Sequence, residues 1–397
     1  MTPDIGLILG IDGVATGSIY VLVGLGLVLI FSVTRIVFVP FGDIVAFSAL
    51  TLASMQLGRM PGTVYLVATL ALVACLVVAV HHWRRGEPRR IVRGVLGYGA
   101  LPLIPAAIAW LLAGTSLPEW AQIPLAIALV VPIGPLIERI ALRPIADASV
   151  LLLLVVSVAL TFGLSGLGLL FFGPEGFRTK PLTNEVFRFG AVIVTSQTLL
   201  MVASAAVFSL LLFLFFEHTL PGKALRATAI NRLGARIVGI RPGSTATLAF
   251  LLASLLGAIS GILIGPVTTL YYDSGFIIGL KAFVGAIIGG LVSYPGTAVG
   301  AILVGLLESF ASFWNSALKE VAVFSLLIPV MLWRSLSLAR VDEEDAEIEG
   351  LKSAPLACWR SPRSRSLRRR RCGPPSSRSR SSTTSASMRL LRSASCS

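Results

Sequence analysis

Charge is scarce in this 397-residue chain: 13% of its residues are charged, against 55% hydrophobic. A soluble globule needs about 25% charged residues to cover its surface, so that class is excluded. Cysteine and histidine are scarcer still, at four and three. Cys75 falls in an apolar run and Cys358, Cys372 and Cys396 lie near the C-terminal end, with no CxxC or Cys/His spacing between them. That removes a disulfide framework and a zinc site. The adjacent pair His81-His82 has no further ligand nearby, so no metal is expected, and no cofactor either. The chain contains no G-x-x-x-x-G-K-[ST] run, so it is not expected to hydrolyse ATP itself. The first residues lack a basic region and a cleavage signature, and the first apolar run is expected to stay in place.

What the chain does have is a succession of apolar runs about twenty residues long, the length that crosses a bilayer core as helix. They are continuous rather than alternating, which excludes an outer-membrane barrel. The class is an all-α polytopic membrane protein. Spans are expected near 5–33, 44–58, 62–80, 94–114, 121–137, 150–172, 196–216, 245–265 and 297–315, with an interrupted segment between Tyr271 and Gly296 and a last span ending at Trp333-Arg334. The count is roughly 9–11 transmembrane or re-entrant helices. Basic loops collect in the cytoplasm, which sets the N-terminus outside and the C-terminus inside. The residues between Gly176 and about 195 alternate briefly, as at Val186-Phe187-Arg188-Phe189, and suit an outer hairpin.

The net charge of +14 invites a nucleic-acid reading, but its distribution argues against one. Residues 341–397 hold twelve Lys/Arg and six Asp/Glu, and the remaining cations sit in short loops between spans. From Val341 the composition turns acidic and then Ser/Arg-rich, without periodicity. That segment cannot bury a core and is expected to be a disordered tail. A frameshift in the gene past Leu351 would produce such a tail.

The longest polar stretch inside the body is Gly222–Ile240, within a loop spanning 217–243. It carries Lys223, Arg226, Arg232 and Arg236 without a carboxylate, and Arg241 follows. Ala224, Leu225, Ala227 and Thr228 would share one helix face, and Leu233, Ile237 and Ile240 recur at spacings of four and three. Charge alone fits a topology anchor as well as a docking element for a soluble partner.

Several runs resemble the permeases of branched-chain amino acid ABC transporters, the LivH-type subunits. Gly222-Lys223-Ala224-Leu225-Arg226-Ala227 and Ala235-Arg236-Ile237-Val238-Gly239-Ile240 resemble that family's cytoplasmic coupling loop. Gly279-Leu280-Lys281-Ala282-Phe283 and Gly289–Gly296 resemble its GLKAF and GGLGSIPG runs. Glu138-Arg139 to Arg143-Pro144 resembles its ER-x-x-x-RP element, and Phe41-Gly42-Asp43 its HGD, with Phe41 in place of histidine. The resemblance covers residues 1–340, except that about 81–115 looks like an added stretch.

The resemblance implies a permease subunit of an ATP-driven importer in the bacterial inner membrane. Its implied partners are cytoplasmic ABC ATPase subunits, a second LivM-like permease, an extracytoplasmic substrate-binding protein and the lipid bilayer; no nucleic acid is expected. Coupling residues would be Gly222, Lys223, Ala224, Leu225, Arg226, Ala227, Arg232, Ala235, Gly239 and Ile240. Asp43, Ser157, Thr161, Lys281 and Ser293 are candidates to line the path, with helix packing the competing role for each, and a helix cap for Asp43. Amino acids, branched-chain by family default, would be the cargo; urea or short amides are the variant. The alternative class is a stand-alone secondary transporter, which needs ionisable residues at membrane depth. Lys281 and Glu308 are the candidates for that.

Overall fold

The computed structural model describes residues 3–83, 96–112, 118–146, 148–183, 185–189, 192–291 and 293–332. The expectations for the side chains at 81–83, for the basic loop at 84–90 and for the tail at 341–397 lie outside those residues.

Helix α1, Pro3–Thr34, runs 32 residues, about 48 Å at 1.5 Å per residue. It has no proline after Pro3 and is apolar on every side, so no face has to stay wet. From Ile19 to Val33 nearly all of it is buried. It is the post around which the other helices stand.

Helix α2, Phe41–Gln56, starts at Phe41, directly after Pro40, a few residues before the expected 44. Helix α3 is Thr63–Trp83. A π turn at Leu96–Ala100 runs into α4, Leu101–Leu111. The expected span at 121–137 is broken: α5, Glu119–Val130, gives way to α6, Ile133–Ile137, then to a π turn at Glu138–Leu142 and a 3-10 turn at Arg143–Ile145. Pro132, which has no N–H and crowds the preceding turn, stands at that break. Helix α7, Val150–Phe172, is capped by the Ser149 hydroxyl, which accepts from Leu152 N.

Strands β1, Val186–Phe189, and β2, Val192–Thr195, form the expected hairpin, antiparallel with Val186 opposite Thr195. The chain continues through α8, Ser196–His218; α9, Leu220–Ile230; α10, Arg232–Ile237; and α11, Pro242–Ile264. It closes with α12, Ser274–Gly289, α13, Tyr294–Trp314, and α14, Leu318–Ser325.

Among the described residues seven helical stretches are long and apolar enough to cross a membrane, and three shorter apolar ones lie at Phe41–Gln56, Leu96–Leu111 and Ser274–Gly289. Helices α7 and α8 are peripheral and expose large apolar side chains such as Leu151, Phe162, Leu210 and Phe213. Such faces suit hydrocarbon rather than water. The protein is a multi-pass helical membrane protein.

The expectation of an interrupted segment between Tyr271 and Gly296 needs correcting. Gly275, Gly279 and Gly285 lie inside the unbroken helix α12; the break comes only at Gly290 and Leu291, both with positive φ. These glycines are contact points. A Cβ at Gly275 would meet Asp43 Cα at 2.7 Å, and one at Gly285 would meet Ala301 Cα at 2.8 Å. Packing without bulk lets helix backbones approach where lipid supplies no hydrophobic drive. Gly257 and Gly261 on α11 seat α2 in the same way. Of the two small-residue pairs on α1, Gly13/Gly17 press against α13, whereas Gly6/Gly10 have nothing within 4 Å among the described residues.

The two ends of the bundle differ. At one end Arg35, where α1 stops, donates to Ala229 O of α9 (3.2 Å), and Arg143 faces Gly243 at the start of α11. That end gathers Arg35, Arg139, Arg143, Lys223, Arg226, Arg232, Arg236 and Arg241. The other end carries the hairpin. There Phe177 pairs with Leu270, and Arg178 Nε donates to Pro266 O (2.8 Å).

Candidate coupling loop and buried charge cluster

The basic loop folds into two short helices joined at one residue. Thr219 opens α9, its hydroxyl accepting from Gly222 N at 3.1 Å, with proline in the first turn where its missing N–H costs nothing. Gly222, Leu225 and Thr228 form the buried face, Ala224 and Ala227 are half-buried, and Lys223 and Arg226 point outward. The period of the sequence had marked that face. Asn231 takes an extended backbone, which ends α9, and its side chain accepts from Gly234 N (2.9 Å) to start α10. Gly239, at φ +90°, lets the chain turn so that Ile240 N reaches Ala235 O (2.9 Å), a closure that only glycine adopts freely.

In α10 only Ala235 is buried. Leu233 and Ile237 point away from the bundle, and Ile230 and Val238 flank them, each at least 70% exposed. The loop thus presents an apolar patch bordered by cations, while its inner face is fixed. Leu225 is fully buried, and Arg35 holds the end of α9. Arg226 pairs with Glu217 at 3.0 Å and lies over the Phe216 ring, which packs on Tyr294 at the start of α13 with ring centres 5.1 Å apart. The pair itself is half exposed and worth little. Its value is positional, since it joins the loop to α8 and α13. Arg232 Nε is buried with no hydrogen-bond partner among the described residues.

The second site is a charge cluster deep in the bundle. Lys281 Nζ lies 2.6 Å from Glu308 Oε1 and 3.4 Å from Glu320 Oε1. The Tyr20 hydroxyl donates to Glu308 Oε2 at 2.6 Å. Lys281 and Tyr20 are buried, so both carboxylate oxygens of Glu308 are matched by donors, as a buried charge requires. The four groups come from α12, α13, α14 and α1. They border a cavity of about 290 Å³ whose rim includes Thr268, Thr269 and Ser274 at the hairpin end. Lys281 and Glu308 were legible as ionisable residues in apolar runs; Tyr20 and Glu320 were not assigned to the site.

The other path candidates are not gathered there. Asp43 sits in the first turn of α2 beside the close contact with α12, fully buried, and it makes no capping bond; neither carboxylate oxygen has a hydrogen-bond partner among the described residues. Ser157 accepts from Val39 N (2.9 Å) and so ties α7 to the turn before α2, while Thr161 donates to Ser157 O (3.3 Å). Ser293 caps α13, accepting from Gly296 N at 3.2 Å, at the basic-loop end of the bundle.

Residues 93–333 match the family model described as the permease component of branched-chain amino acid transport systems. That segment is more than half of the chain and contains the whole loop together with Lys281, Glu308 and Glu320. The chain belongs to that permease family.

Among curated relatives, the high-affinity branched-chain amino acid transport system permease protein LivH of Escherichia coli K12 is 30% identical over 206 residues, 49% of this chain and 66% of the relative. The same protein of Salmonella typhimurium LT2 gives the same figures. BraD of Pseudomonas aeruginosa is 29% identical over 208 residues, 51% of this chain and 68% of the relative. The chain thus spans 66% of the length of the LivH relatives it matches. No solved structure matches it. Tyr20 and Asp43 lie ahead of the matched segment, so the permease match covers three of the four groups in the cluster.

Proposed function

We propose that this chain is the membrane-spanning permease subunit of an ATP-binding-cassette importer that moves branched-chain amino acids delivered by an external binding protein. The observation that carries the reading is the α9–α10 loop. It offers Ile230, Leu233, Ile237 and Val238 outward, rimmed by Lys223 and Arg236, and is anchored to α1, α8 and α13 behind. An apolar patch with a cationic rim suits a folded protein partner. By the rule that cations face the cytoplasm, this is the inner end and the hairpin end is outside. The partner is a cytoplasmic ATPase, since the chain has no phosphate loop of its own. A second permease completes the path. Closure of the ATPases pulls on α9–α10, and Arg35 and Phe216–Tyr294 pass that movement to α1 and α13. Branched-chain cargo is what the relatives' names state.

A secondary transporter is the second reading, favoured by the Lys281–Glu308–Glu320 cluster, since ionisable residues at membrane depth can couple transport to an ion. Affinity purification of the full chain in detergent separates the two. With Lys223 and Arg236 intact, a soluble chain bearing a phosphate loop and hydrolysing ATP is expected to co-purify. Changing both of these exposed cations to glutamate should remove it without altering the chain's own elution. A chain that purifies alone in both forms argues for the secondary transporter.

A further inference from the structure

We infer that the cavity over Lys281 is a binding station for a zwitterion, an α-amino acid with a small or medium apolar side chain; this rests on the transport reading above. Lys281 has three N–H donors; one is hydrogen-bonded to Glu308 at 2.6 Å, and Glu320 is an ion-pair neighbour at 3.4 Å without a hydrogen bond. Each oxygen of Glu308 already has a donor, one from Lys281 and the other from the Tyr20 hydroxyl. Glu320 is not so matched: its contact to Lys281 is long and its side chain is 38% exposed. A ligand carboxylate can therefore take the Glu320 position on Lys281 while the ligand ammonium takes Glu320. Lys281 and Glu320 then each keep a partner and both charges of the ligand are met, with Lys319 a second cation on the cavity lining.

The rest of the cavity fits such a ligand. Ile19, Met201, Ile264 and Ile278 give an apolar wall, and the rim hydroxyls of Thr268 and Ser274 lie toward the hairpin end. A volume of about 290 Å³ holds a leucine-sized molecule. Lys281 is seven residues into α12, about 10 Å below its hairpin end. Beyond Val267 lies a larger cavity of about 640 Å³, bordered by Asp12, Arg178, Glu185 and Gln197. Val267 borders both, so the station lies next to a polar vestibule on the side where an external donor would unload. Because Glu320 sits on the short helix α14, exchange of Glu320 from Lys281 to the ligand would move that helix.

Saturation-transfer NMR on the full chain in detergent tests this without an ATPase, using leucine, 4-methylpentanoate and 3-methylbutylamine as probes. A signal from leucine, at least five-fold weaker for the two analogues and lost in Glu320→Gln, is the expected result. Equal signals from all three probes, no leucine signal, or an undiminished signal in Glu320→Gln would overturn it. In the assembled transporter, Lys281→Met with Glu308→Gln should keep the wild-type melting temperature and ATPase binding, yet lose at least ten-fold in cargo moved per ATP. An unchanged ratio would make the cluster purely structural. Failure of the wild-type chain to bind an ATPase would count against the importer and leave the NMR result standing.

Discussion

Changing Glu308 alone to alanine is expected to cost about 3–5 kcal/mol, the usual penalty for stripping one partner from a buried ion pair. The Lys281 and Glu308 side chains are 5% and 12% exposed, so solvent screens little of the charge left behind. Without Glu308, Lys281 retains only Glu320 at 3.4 Å, and the Tyr20 hydroxyl loses its acceptor. Combining Lys281→Met with Glu308→Gln should recover most of the loss. The buried charge is gone, and the glutamine oxygen still accepts from Tyr20. Thermal unfolding of the detergent-purified variants measures both, with the single variant well below wild type and the double variant close to it. A single variant that melts with the wild type would mean the pair is solvated.

Gly42→Ala should disrupt the body more severely than its size suggests. An added Cβ falls on the Gly275 carbonyl oxygen, with the carbonyl carbon at 2.8 Å and Gly279 N at 2.9 Å. All three are backbone atoms of α12, so no side chain can swing aside and α2 must lift off. Overpacking of this kind costs about 3 kcal/mol or more. The contrast is Gly10→Ala. Nothing lies within 4 Å of that position among the described residues, and the change should be neutral or slightly stabilising in the isolated chain through helix propensity. Gel filtration after extraction reads the difference: aggregate or loss for Gly42→Ala, a wild-type peak for Gly10→Ala. A wild-type profile for Gly42→Ala would show that the α2–α12 contact can open cheaply.

These two sites also mark what the sequence could and could not convey. Apolar runs located the spans because length and hydropathy are local properties, and the face of α9 was legible because Leu225 and Thr228 repeat at helical spacing. The hairpin was visible in the alternation at Val186–Phe189. Glycine, by contrast, carries two opposite meanings. At Gly290 it bends the chain, but at Gly275 and Gly285 it admits a neighbouring helix, and only the partner helix decides between them. The cluster was half legible. Lys281 and Glu308 stand out in apolar runs, whereas Tyr20, 288 residues from Glu308, becomes its partner only through packing of α1 against α13. Ser157 is similar: its contact with Val39 N spans 118 residues, and no local pattern records it.

The measurement that bears most directly on the account is uptake of radiolabelled leucine into proteoliposomes containing the full chain with the proposed ATPase, second permease and binding protein. ATP-dependent accumulation that disappears when the chain is omitted, and also when Lys223 and Arg236 are both glutamate, is the predicted result. Accumulation driven by an ion gradient with the chain alone, indifferent to ATP and to these two cations, would contradict it.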